Sequence, residues 1–116
     1  MQYLILIYES PADADLRHGP NAPAYWGGWQ AYSQALTQAG VMAGGNGLQL
    51  PATATTLRVA GGKRQVHDGP YADTKEQLGG YYLIDVPDLD AALEWAARCP
   101  ALPNGAIEVR PVLQMN

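Results

Sequence analysis

Tyr3 to Tyr8 (YLILIY) is apolar at every position and rich in strand formers, the pattern of a strand buried on both faces. Ser10 to Ala22 is polar and carries Pro11, Gly19, Pro20 and Asn21, which predicts a loop. From Pro23, a residue suited to a first helical position, Tyr25/Trp26, Trp29, Tyr32, Leu36 and Ala39 recur at spacings of three and four. That spacing makes one apolar helix face, and Gly40 ends it. Val41 to Leu50 holds a short strand stopped by Pro51. Thr55 to Ala60 and Lys63 to His67 flank Gly61-Gly62, a two-residue hairpin signal. Tyr81 to Val86 (YYLIDV) is a second largely apolar strand. Asp88 suits the N-cap of a helix whose predicted buried stripe is Leu89, Ala92, Leu93 and Ala96. In Ile107 to Val112, the last strand, Ile107 and Val109 alternate with Glu108 and Arg110.

The order is strand, helix, strand, hairpin, strand, helix, strand. It predicts an α+β fold, a ferredoxin-like βαββαβ unit with an added β-hairpin. At 116 residues the chain has the size of one domain, 1–116. Two helices cover only one face of the sheet, while the two central runs are apolar on both. A second copy packed sheet against sheet is the expected cover, so a homodimer is predicted.

Composition narrows the function classes. Charged residues are 16% against 47% apolar, and the net charge is -4. An acidic chain is a poor match for nucleic acid or anionic lipid, so no nucleic-acid or membrane partner is expected. The apolar N-terminal run is too short for a membrane span and lacks a basic flank. The lone Cys99 fits a reducing, cytoplasmic setting. His18, His67 and Cys99 have no metal-ligand spacing, and no cofactor motif occurs. Gly62-Lys63-Arg64 lacks the Ser or Thr that a phosphate loop needs after its Lys.

Candidate chemistry concentrates in DGPYADTKEQLGG, Asp68 to Gly80. Asp-Gly-Pro favours a sharp turn, and Asp73 with Glu76 fits the N-cap of a short helical turn. Gly79-Gly80 would let the chain turn back into the sheet. The functional reading puts Asp68 and Tyr71 at the mouth of a cavity, Asp68 as an acid–base group and Tyr71 shaping the pocket. His67 points to the opposite strand face from Asp68, but its ordinary pKa near 6.5 suits proton transfer. Trp29 and Tyr32 are candidate ligand-binding aromatics.

ATTLRVAGGKRQVHDGPYADTKEQLGGYYLIDVPDLDAALEWAARCP, together with IEVRPV, resembles the signature region of the DGPF branch of the YCII-related family. Tyr71 stands where Phe is usual, and Asp73 where Glu is usual. The resemblance implies a dimeric α+β barrel and, from the wider family, an acid–base site in a cavity. The family's proposed His lies on or near the first helix, and Ala24 to Ala39 contains none. The resemblance thus implies a small lyase- or isomerase-type enzyme. Branch members are commonly encoded beside sigma factors, which implies the alternative, a non-catalytic ligand-binding or regulatory module.

Overall fold

The computed structural model describes residues 1–115. Four strands form an antiparallel sheet: β1 (Gln2–Glu9), β2 (Met42–Gly47), β5 (Gln77–Asp85) and β6 (Ala106–Pro111). Their spatial order is β2-β5-β1-β6, the ferredoxin-like arrangement. A separate two-stranded sheet, β3 (Thr55–Ala60) and β4 (Lys63–Asp68), is the added hairpin. Helices α2 (Ala22–Gln38) and α3 (Leu89–Ala97) pack on the sheet.

Strand parity decides which side of the sheet is the core. Tyr3, Ile5, Ile7 and Glu9 alternate inward and are buried, whereas Leu4, Leu6 and Tyr8 are half-buried on the other face. The core cluster joins Tyr3, Ile5 and Ile7 to Tyr32 and Leu36 of α2, Ile84 of β5 and Ala92 of α3. YLILIY is therefore covered fully on one face and partly on the second within one chain.

Four local expectations change. The segment after β1 is not all loop: α1 (Pro11–Asp15) forms, capped by Ser10 Oγ, which accepts from Asp13 N at 3.2 Å. The α3 stripe is narrower than its pattern. Ala92 and Ala96 are buried, but Leu89 and Leu93 are each 47% exposed, because the helix sits on small residues and turns its leucines outward. Asp73 and Glu76 cap no helix, since residues 69–76 form bends without regular structure. The Gln77 side-chain amide holds that segment by donating to the carbonyls of Ala72 (2.9 Å) and Thr74 (2.7 Å), satisfying backbone that a helix would have paired. Gly79 and Gly80 lie inside β5 rather than at its entrance. Asp88 does cap α3, accepting from Ala91 N at 2.9 Å.

Candidate functional site

A cavity of about 660 Å³ opens between α2 and the helix-facing side of β1, β2 and β5. Its floor is low because Gly45, Gly47 and Gly80 replace side chains there. Two of these glycines are also required by close backbone approach. A Cβ on Gly45 would lie 2.8 Å from the Tyr81 carbonyl oxygen, and one on Gly80 would lie 3.0 Å from that of Asn46. One wall is aromatic. The Trp29 and Tyr82 rings lie nearly parallel, 19° apart with centroids separated by 6.5 Å, and Ser33 and Tyr82 share a 2.6 Å hydroxyl–hydroxyl hydrogen bond.

The cavity's ionic groups form one cluster. Glu9 ends β1 on its buried face, where its side chain is 4% exposed. Arg17, in the turn after α1, donates from Nε to Glu9 Oε1 at 3.1 Å and to the Tyr25 hydroxyl at 3.3 Å. Its other nitrogens reach the carbonyls of Leu48 (2.6 Å) and Gly79 (3.2 Å). Tyr25, on the first turn of α2, donates through a short hydrogen bond to Glu9 Oε2. Trp26 covers the guanidinium, with Arg17 Cζ 5.7 Å from its ring centroid, and its indole N–H donates to the Arg17 carbonyl at 3.2 Å.

Gly79 makes this cluster possible. The β1–β5 register slips between Ile7 and Tyr8, so that Gly80 and Leu78 pair and Gly79 is the extra residue. A Cβ there would stand 2.9 Å from an Arg17 terminal nitrogen. The Gly79 carbonyl accepts both from the arginine and from Leu48 N, at 2.9 Å.

The Tyr25 phenol is pushed up to about 12, first by burial and then by its hydrogen bond to Glu9, with Arg17 opposing. At neutral pH it is therefore a protonated donor. Burial also raises Tyr32 and Tyr82. A second cavity of about 230 Å³ shares Glu9, Arg17 and Gly79 with the first and adds Asp15 and Lys75, so the ion pair is the partition between the two.

The residues singled out from the sequence fall in different places. Trp29 lines the large cavity. Tyr32 is buried behind that wall, edge-on to Tyr82 with centroids 5.4 Å apart, and donates to the Trp95 carbonyl at 2.8 Å. His67 and Asp68 sit exposed at the end of β4, opposite Thr56 and Thr55 and on alternate faces of the hairpin. Tyr71 is 73% exposed, with the Arg58 guanidinium 5.4 Å from its ring centroid. Asp68, His67 and Tyr71 line neither cavity. The sequence pattern puts Tyr25 only on an apolar helix face and leaves Glu9 and Arg17 unremarked, although two signals mark that pair. Glu9 shares the inward parity of Tyr3, Ile5 and Ile7, and Arg17 is the only Lys or Arg before position 58.

Among the described residues no group of three His, Cys, Asp or Glu side chains could hold a metal ion, and no helix is long and apolar enough to cross a membrane.

An α+β sandwich with a cavity under its first long helix is the class this geometry defines. The YCII-related domain matches residues 1–116, so the chain belongs to that family. An uncharacterized protein of Rhizobium meliloti is 52% identical over 66 residues, covering 54% of this chain and 53% of the relative; the match thus spans about half of that protein's length. Among solved structures, 5-chloro-2-hydroxyhydroquinone dehydrochlorinase from Burkholderia phenoliruptrix, in complex with 2,5-dihydroxybenzoquinone, has the same fold. Its TM-score is 0.51 at 15% identity, covering 99% of this chain and 96% of that one.

Two stability predictions follow from the cluster. Arg17→Met leaves a buried carboxylate uncompensated and is expected to cost about 3–5 kcal/mol in urea unfolding at pH 7. The Glu9→Gln/Arg17→Met double variant should recover most of that loss; equal losses in the single and double variants would show that the pair is not coupled. The second concerns alkaline pH. Because the folded Tyr25 phenol holds its proton up to about 12 against an ordinary value near 10, its contribution is complete below pH about 10 and lost as pH rises towards about 12. The stability difference between wild type and Tyr25→Phe should shrink across that window, and a constant difference would contradict the assignment.

Proposed function

We propose that this YCII-related chain is a small acid–base enzyme of the lyase or isomerase type, working as a cytoplasmic homodimer of the DGPF branch. Its reaction is assigned to the α2–sheet cavity, with Glu9 as base and Tyr25 as acid. The observation that carries the reading is a buried carboxylate and a protonated phenol, hydrogen-bonded to each other on the wall of a cavity large enough for a small organic molecule.

A substrate carbonyl oxygen takes over the Tyr25 hydrogen bond and frees Glu9 Oε2. The neighbouring C–H bond breaks, its proton goes to Glu9, and the electron pair moves onto the carbonyl oxygen as an enolate that Tyr25 stabilises. Return of the proton to another carbon gives an isomer; loss of a β-substituent with its electron pair gives a lyase product. Arg17 is a positioning residue, because its hydrogen bonds to Leu48 and Gly79 hold the guanidinium against Glu9. Trp29 and Tyr82 supply flat apolar contact for the substrate.

One feature favours a second reading, a non-catalytic ligand-binding or regulatory module: both Glu9 oxygens already have donors. An acid–base role for Asp68 or His67, with Tyr71 beside them, would require these exposed residues to meet the cavity of a second copy.

Chloride release from 5-chloro-2-hydroxyhydroquinone, and NMR-detected deuterium exchange of small cyclic ketones in D₂O, test these readings together. Turnover of at least one compound is expected, with Glu9→Gln at least about 100-fold slower and Asp68→Asn close to wild type. Full activity in Glu9→Gln would remove the chemistry from this cluster. Saturable quenching of tryptophan fluorescence without turnover of any compound would favour the binding module.

A further inference from the structure

The β3–β4 hairpin is covered by little of its own chain. Every residue from Leu57 to Asp68 is exposed. At its base, Gly69 N donates to the Ala54 carbonyl at 2.7 Å, and Thr56 Oγ1 donates to that of Gly69 at 2.8 Å. A two-stranded hairpin standing alone in water is marginal, so this one is expected to have a support.

Its two faces differ. Leu57 and Val66 are directly opposite each other, and Val59 follows on the same side. These three are 55%, 58% and 68% exposed, an apolar strip without cover. The other face carries Arg58, Lys63 and His67, while Arg64, opposite Val59, shares the apolar side. Charge is segregated as well. The hairpin Thr55–Asp68 holds three cations, Arg58, Lys63 and Arg64, and one carboxylate, Asp68 at its base. The other residues hold four cations against ten carboxylates, so a formal +2 arm projects from a body of -6.

We propose that the β3–β4 hairpin is an arm that docks on the acidic body of a second copy of this chain, its Leu57, Val59 and Val66 strip covered there and its cations facing the partner's carboxylates. A second copy answers both features at once: it brings the acidic surface that matches the cations, and it carries its own arm to be covered in return, as a two-fold contact requires. This inference rests on the homodimer reading above but adds a separate contact, since a sheet-to-sheet dimer needs no hairpin. Docking would also bear on the site. The segment leaving the arm contributes Lys75 to the smaller cavity, next to the Glu9–Arg17 partition.

Sedimentation velocity on the full chain, at 0.1 and 1 M NaCl, compares wild type with Arg58→Glu/Lys63→Glu/Arg64→Glu and with Leu57→Ser/Val66→Ser. A wild-type dimer is expected at micromolar concentration, with at least a tenfold weaker dissociation constant in either variant and unchanged far-UV circular dichroism. An equal mixture of ¹⁴N and ¹⁵N wild-type chains, coupled with a zero-length carbodiimide cross-linker, gives a readout that needs no variant. Lys63 should appear in mixed-isotope links to Asp or Glu peptides of the body. A wild-type monomer at 100 μM would overturn both the dimer and the arm. A dimer of unchanged affinity in both variants, with no mixed-isotope Lys63 link, would overturn the arm while leaving the dimer. Binding of a 20-base-pair DNA duplex that the charge-reversed variant loses, without that link, would assign the arm to nucleic acid instead.

Discussion

The buried Glu9–Arg17 pair is the constraint around which the cavity end of the molecule is arranged. A carboxylate at the inward end of an apolar strand is costly unless a cation and hydrogen bonds compensate it. Arg17 supplies the cation, Tyr25 donates to the remaining oxygen, and the carbonyls of Leu48 and Gly79 use the rest of the guanidinium. These contacts tie β1 to the turn after α1, the start of α2, the end of β2 and the bulge in β5. The same pair that costs desolvation therefore fixes where α2 begins, and so sets the height of the cavity roof.

Glycines and aromatics divide the remaining work. Gly45 and Gly80 let β2 and β5 approach where side chains would collide with backbone, and with Gly47 they leave the cavity floor empty. Gly79 removes the one Cβ that would stand against the guanidinium. Trp29, Tyr82 and Tyr32 then close the core side with edge-on and stacked contacts, so the wall is aromatic while the floor is bare. Cys99, buried beneath it and pushed up to about 11 chiefly by burial, behaves as a small apolar residue.

Much of the fold was legible because it depends on period and punctuation. The unbroken apolar run YLILIY, the three-and-four spacing from Tyr25 to Leu36, the Gly61-Gly62 turn and the Asp88 cap all describe local chemistry that the tertiary structure keeps. The leucine pattern of α3 misled because period identifies an apolar face, not how close the neighbouring element comes; there the contact is made by Ala92 and Ala96. The site was harder to read for a different reason. The DGPY segment draws attention by its unusual composition, yet the cavity is built by a lone carboxylate, a lone arginine and glycines separated by up to seventy residues. Parity sets Glu9 on the face of Tyr3, Ile5 and Ile7, but nothing local says that this face is the inner one or that the residue meeting it is Arg17. Gly79-Gly80 looks like a turn signal, and it takes the β5 register to show that the two glycines make room for Arg17 and β2.

The central claim is that this cavity, not the exposed DGPY segment, receives the small molecule. Intermolecular nuclear Overhauser effects between a bound small cyclic ketone and the selectively labelled aromatic residues test it most directly. The account predicts contacts from the ligand to the Trp29 indole and the Tyr25 and Tyr82 rings. Contacts confined to Tyr71 and the protons of His67 and Asp68 would contradict it.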